Sequence, residues 1–187
     1  RRFAVGGSPT DCVMMALTEY MSDKRPDLVL SGVNRGQNLG DDVTYSGTVA
    51  GALEATLLGI PAIAMSQQVS GVKVQFKTAE TLAPSVIKKL LREKWPADVF
   101  MNVNFPDVPA KAVSGVSIVP QGRRKSGYNL HEMPDPRRQD QFYIIGNAIE
   151  GQHVGRKDTD YKAIERGEIS ITPLHCDLTH YGALRSL

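Results

Sequence analysis

The chain has 187 residues, 41% of them hydrophobic, and 22 Lys and Arg set against 20 Asp and Glu. That is the profile of one globular domain long enough to bury about 70% of its unfolded surface, and a net charge of +2 is too small to argue for a nucleic-acid or membrane partner. Cys12 and Cys176 make no disulfide framework and fit a reducing, cytoplasmic compartment, and no run reaches membrane-spanning length or reads as a signal peptide.

Taken in order, Arg1-Arg2-Phe3 reads as the interior of something longer, and Phe3–Val5 as the end of a strand. Ser8-Pro9-Thr10-Asp11 is a helix start: Ser8 as N-cap, Pro9 in the first turn and Asp11 at capping-box spacing. Val13, Met14, Leu17 and Met21 follow at helical period, with Met14, Met15 and Met65 expected as core fillers and Pro26 ending the helix. Leu28–Leu30 is apolar on both faces, as a buried parallel strand is.

A loop rich in Gly, Asn and Asp then opens into a helix beginning near Ser46. Its core side carries Val49, Leu53 and Leu57, while Ala50, Gly51, Ala52 and Ala55 allow close packing. Gly59-Ile60-Pro61 stops it, and Ala62–Met65 is the next strand. An amphipathic helix over 78–94 uses Leu82, Val86, Leu90 and Leu91, with Pro84 in its first turn or kinking it, before a strand at Val99–Val103. This alternation predicts a parallel sheet with right-handed crossovers.

Val113–Val119 and Gln141–Ile145 both alternate around the turn-rich Gly127–Asp140, which predicts a long hairpin that packs on another subunit or covers the site. The hairpin carries the basic clusters Arg123-Arg124-Lys125 and Arg137-Arg138, read as a solvated face or, less simply, as attractors of anionic substrate. After Gly151–Gly155, a short helix at Asp160–Arg166 leads to a closing strand, Glu168–Leu174, and the polar tail His175–His180.

The chemistry lies between residues 27 and 59. Gly32, Gly36 and Gly40 match neither the dinucleotide fingerprint nor a Walker loop, and no serine-hydrolase elbow or zinc motif occurs. What remains is oxygen-rich: Asn34, Asn38, Asp41, Asp42, Ser46 and Thr48. Such groups suit phosphate and a hard divalent cation, Mg²⁺ or Mn²⁺. A strand running through a polar loop into a helix N-terminus is also an anion-binding arrangement.

SGVNRGQNLGDDVTYSGTVAGALEATLLGIPAIA, with GSPTDCV before it and NVNFP and ISITPLHCDLT after it, resembles the SurE (survival protein E) family of metal-dependent nucleotidases and acid phosphatases. The resemblance covers nearly the whole chain. It implies a three-layer α/β/α sandwich with a Rossmann-like, mostly parallel sheet. It also implies a protruding hairpin within 113–147 and an exchanged C-terminal segment that join dimers or tetramers. The implied activity is release of phosphate from nucleoside 5′- or 3′-monophosphates; the hairpin arginines, read as attractors of anions, add polyphosphate as a further substrate.

By the same resemblance Asn34 is a metal ligand, while Asn38, Ser46, Gly47 and Thr48 fall on phosphate-binding positions; Asn34, Asn38 and Ser46 are thus the candidate catalytic residues. The family's N-terminal Asn-Asp-Asp-Gly, which supplies its main metal carboxylates, and a further metal-binding Ser have no match here, so the single domain 1–187 lacks that strand. Read as residues alone, Asn34 and Asn38 are turn formers, Ser46 is an N-cap, and Asp41 and Asp42 fix the loop or orient the site. Ser8, Thr10 and Asp11 cap their helix or face the site. His175 is a structural strand-end residue or a proton donor. The alternative to an enzyme is a non-catalytic phosphate- or nucleotide-binding oligomer; a nucleotide-sugar transferase is weaker still, with no motif behind it.

Overall fold

The computed structural model describes residues 1–71, 76–124, 128–134, 141–147, 153–154 and 157–187. The organising element is a five-stranded sheet with the order β1-β2-β3-β9-β4. Its strands are β1 (Val29–Arg35), β2 (Ala62–Gln67), β3 (Val99–Phe105), β9 (Glu168–His175) and β4 (Gly115–Ile118). β1, β2 and β3 run parallel, and β9 enters antiparallel to β3 while lying parallel to β4.

β2 and β3 are buried throughout, and alternate residues serve opposite faces. Ile63, Met65, Val103 and Phe105 pack with Ile169, Ile171 and the inner side of α3 (Lys77–Leu90). On the other face Ala62, Ala64 and Phe100 meet Val49, Ala52 and Ala55 of α2 (Gly47–Leu57), over which α1 (Pro9–Met15) lies. Helices on both faces of a mostly parallel sheet make the expected three layers. Among the described residues no helix is long and apolar enough to cross a membrane.

Several expectations change. Residues 3–5 form no strand; the Phe3 ring instead stacks on Tyr20 with centroids 4.1 Å apart. α1 gives way to a π-helical turn at Ala16–Tyr20 that ends well before Pro26. On this helical stretch only Leu17 is buried. Met14 and Met15 stay 46% and 40% exposed because no described element covers that side, whereas Met65 is in the core as expected. β1 is longer than Leu28–Leu30 and occupies a sheet edge, which leaves Leu30 44% exposed rather than doubly buried. Leu57 and Leu91 also face solvent. Pro84 lies in the middle of α3, not its first turn.

The hairpin changes most. Residues 115–118 pair with β9 inside the main sheet, while β7 (Gln141–Asn147) pairs with β6 (Tyr128–Pro134) in a separate ribbon. Arg123 and Arg124 form β5, paired with β8 (His153–Val154). Lys125, Arg137, Arg138, half of the Gly127–Asp140 stretch and most of Gly151–Gly155 fall outside the described residues. α4 (Asp160–Glu165) forms where expected, and the polar tail continues into α5 (Tyr181–Ser186).

Candidate functional site

The oxygen-rich loop leaves the C-terminal end of β1 and returns at Ser46, the N-cap of α2. Ser46 Oγ accepts the Val49 amide at 3.2 Å and the Ser46 carbonyl accepts that of Ala50 at 2.9 Å. The Gly47 and Thr48 amides find no acceptor among the described residues. The first turn of α2 carries no acidic side chain. An exposed Gly47 and open amides therefore present the positive end of the helix dipole to solvent. Thr48 is buried, so the helix start offers its amide more readily than its hydroxyl.

Asn34 stands in register with Ser66 of β2, where the ladder shifts between Ser31 and Asn34. Its Nδ2 donates to the Gly36 carbonyl at 2.9 Å, which leaves Oδ1 as the side chain's acceptor. Asn38 is buried and held at its side chain, amide and carbonyl: its Nδ2 donates to Ser66 Oγ at 2.7 Å and its amide donates to Asn104 Oδ1 at 2.8 Å. Its carbonyl accepts from Asn102 Nδ2 at 2.8 Å and from Asn104 Nδ2 at 3.1 Å. One Nδ2 hydrogen of Asn38 is thus committed to the protein before any ligand arrives.

A second group of bonds comes from the far side. The Gly40 amide donates to Asp160 Oδ2 at 2.7 Å, and Gln121 Nε2 donates to the Gly40 carbonyl at 2.9 Å. Tyr161 Oη donates to the Leu39 carbonyl at 3.0 Å. Gly40 has φ +52°, and a Cβ there would lie 2.3 Å from the Tyr161 ring, so only glycine fits. Asp41 and Asp42 belong to the 3₁₀ turn Gly40–Thr44 that follows, with Thr44 Oγ1 donating to the Asp41 carbonyl.

The other candidates separate. Ser8 and Asp11 form the capping box: Asp11 Oδ2 accepts the Ser8 amide and hydroxyl, both at 2.7 Å, and these bonds lower its pKa. Pro9 lies 3.3 Å from where a Gly47 Cβ would be, so the start of α1 abuts the start of α2. His175 pairs in register with Val99, the first residue of β3, which is the opposite end of the sheet from Asn34 and Ser46. It is exposed, and its Nδ1 lies 3.6 Å from Asp98. Beside it, Thr179 and Tyr181 hydroxyls hold the Asp177 carboxyl down to about 2, and burial raises the Cys176 thiol.

Residue reasoning left Ser66, Asn102, Asn104, Asp160 and Tyr161 without roles, although they define the loop. A signal existed: Asn102 and Asn104 are two residues apart in an otherwise apolar strand and so share one face. In register, Asn34, Ser66, Asn104, Ser170 and Ser117 form a polar row across the whole sheet. Among the described residues no three His, Cys, Asp or Glu side chains converge on a metal position. Asn34 Oδ1 is a single neutral oxygen and does not by itself make a divalent-cation site.

The family model described as survival protein SurE matches residues 1–128. The chain is 49% identical over 188 residues to the 5′-nucleotidase SurE of Paramagnetospirillum magneticum, covering 100% of this chain and 72% of that one. It is 46% identical to the 5′-nucleotidase SurE of Geobacter sulfurreducens, over 99% of this chain and 70% of the relative. The crystal structure of the SurE protein from Aquifex aeolicus is similar with a TM-score of 0.80 and 37% identity, covering 97% of this chain and 72% of that chain.

Proposed function

The chain belongs to the survival protein SurE family, and from that premise we infer a nucleotidase, a phosphomonoesterase that releases phosphate from nucleoside 5′-monophosphates. The observation that carries this reading is the start of α2: a Ser46-capped helix with open amides, at the end of a loop bonded down on both sides. Relatives named as 5′-nucleotidases supply the substrate class.

In this reading the phosphate sits against the Gly47 and Thr48 amides and Ser46 Oγ, with the remaining Asn38 Nδ2 hydrogen as a further donor. These groups are fixed before substrate arrives, so they stabilise charge that builds on the phosphoryl oxygens without reorganising. Nucleoside 3′-monophosphates and polyphosphate are the secondary substrates, drawn in by the basic residues around Arg123. A divalent cation, Mg²⁺ or Mn²⁺, is the cofactor, with Asn34 Oδ1 as one ligand; the described residues do not complete its ligand set. The protein is cytoplasmic and forms dimers or tetramers through the hairpin and the C-terminal segment. The two free thiols and the self-contained ribbon β6–β7 support this.

The test is phosphate release by the full natural protein from a panel of nucleoside monophosphates with Mn²⁺ or Mg²⁺ present. Release from 5′-monophosphates is expected. Nucleotide binding without release would favour the non-catalytic oligomer and overturn the enzyme reading.

A further inference from the structure

We propose that Asn104 is a positioning residue for the phosphate site, setting the place of the loop through the main chain of Asn38. One carboxamide grips both polar groups of that residue: Oδ1 accepts its amide at 2.8 Å and Nδ2 donates to its carbonyl at 3.1 Å. This is the donor–acceptor pattern with which a neighbouring strand would pair. Among the described residues no such strand pairs with the loop; its last backbone bond to β2 runs from the Gly36 amide to the Gln67 carbonyl at 2.9 Å. Asn104 therefore stands in for a missing ladder rung, and Asn102 Nδ2 reinforces the carbonyl side at 2.8 Å.

Asn104 is fully buried, and its in-register neighbours, Ser66 and Ser170, are neutral. Its bonds to Asn38 are thus shielded from competing water. It reaches no ligand-facing amide itself, so it acts only through Asn38. Displacing a binding group by about 1 Å costs on the order of 100-fold in rate. Asn104 thereby sets how well Asn38 meets the phosphoryl oxygens. The inference rests on the nucleotidase reading and adds to it a residue outside the loop.

The experiment uses Asn104→Asp and Asn104→Leu in the full natural protein, assayed with a nucleoside monophosphate and Mn²⁺ from acid to alkaline pH. An ionised Asp at this position still accepts the Asn38 amide but faces its carbonyl with a second oxygen; a protonated Asp donates to that carbonyl and restores the grip. Burial raises the pKa of such a carboxyl, which places the switch in the working range.

For Asn104→Asp, kcat relative to the natural protein should fall by about 30-fold or more at pH 8 and recover several-fold as pH falls towards 5, given the sensitivity of rate to placement. KM should move less than kcat. Asn104→Leu should stay low at every pH, and Val86→Ala, in α3 on the other face of the sheet, is the control for lost stability. Natural kcat in both Asn104 variants, or equal pH-independent losses in both, would overturn the positioning role. If Asn104→Asp does not fold, Asn102→Leu is read instead: it removes one of two donors to the Asn38 carbonyl and should lower kcat about 5-fold, less than a full displacement. Natural kcat in Asn102→Leu then overturns the proposal. A natural protein that releases no phosphate at any pH would instead refute the nucleotidase reading.

Discussion

Helices α2 and α3 cover opposite faces of the same sheet, yet their N-termini are finished in opposite ways. α3 has no side-chain cap from its own N-cap residue, Phe76. Instead the buried Gln67 of β2 reaches up, and its Oε1 accepts the Ala79 amide at 3.1 Å while its Nε2 donates to the Phe105 and Pro106 carbonyls. Glu80 sits in the first turn and Lys88 and Lys89 in the last, the charge order that suits the dipole. α2 has neither device. Only Ser46 caps it, no charge fills its first turn, and its inner side is built of small residues. A Cβ at Gly51 would lie 2.8 Å from Ser31 Oγ and 3.4 Å from Pro9, so α2 is drawn tightly between β1 and α1. One helix is closed by the protein from within, and the other is left open for something else to close. Satisfying a helix end can serve stability or recognition, and each end here serves mainly one.

That contrast can be broken most sharply at the open side. Asn34→Ala in the full natural protein should lower kcat between about 100- and 1,000-fold, the loss expected when a ligand of a cation that would stabilise developing charge is removed. The melting temperature should hardly move, because Asn34 gives up one half-buried bond to Gly36. Normal turnover would remove Asn34 from the site.

On the closed side, Leu90→Ala empties a core position that is 7% exposed. It should destabilise the fold by about 3 kcal/mol in denaturant unfolding, with kcat intact at low temperature. An equal loss of kcat and stability would mean that the two faces are not separable. Ser46→Ala comes next. It removes the bond to the Val49 amide and should destabilise by about 1 kcal/mol. Unlike Leu90→Ala it should also raise KM for the nucleotide, and an unchanged KM would count against phosphate at this terminus.

The smallest effect lies far from both helices. Folding lowers the Asp177 carboxyl from 3.8 to about 2 through hydrogen bonds from Thr179 and Tyr181. Between those values the unfolded segment binds more protons than the folded one. Whatever Asp177 adds to the order of α5 is therefore fully present above about pH 4 and lost as pH falls towards 2. Amide protection of residues 181–186, relative to the intrinsic exchange rate at each pH, should fall over that window while α2 and α3 stay protected. Simultaneous loss of protection in all three would deny a local origin.

Local signals were legible in the sequence wherever one stretch decided its own structure. The capping box at Ser8 and Asp11, the Ser46 cap, the strands through Ala62 and Val99, and the helix at Asp160 all form where residue chemistry placed them. What alternation cannot carry is the identity of a partner. Val113–Val119 reads as a strand and is one at 115–118, but its neighbour is β9, which arrives from fifty residues later. Leu28–Leu30 reads as buried because it is apolar, while the sheet order puts it at an edge. The site divides along the same line. Asn34, Asn38 and Ser46 belong to one continuous motif, whereas Asn104 and Asp160 meet the loop only through tertiary structure. An anion site at the Ser46 helix start was legible from the residues, whereas the metal role of Asn34 and the phosphate role of Asn38 came from family resemblance.

The bonds that fix the loop also carry a message about timing. The Asn38 amide is tied to a residue 66 positions later, the Gly40 amide to one 120 later and the Leu39 carbonyl to one 122 later. Contacts this distant in sequence close late, after the intervening chain has found its place. During synthesis the whole motif from Asn34 to Ser46 is made early, but its anchors in β3 and α4 do not yet exist. In the proposed reading a growing chain therefore carries the residues of a phosphate site long before it holds a working one, and competence comes on only as β9 slots between β3 and β4.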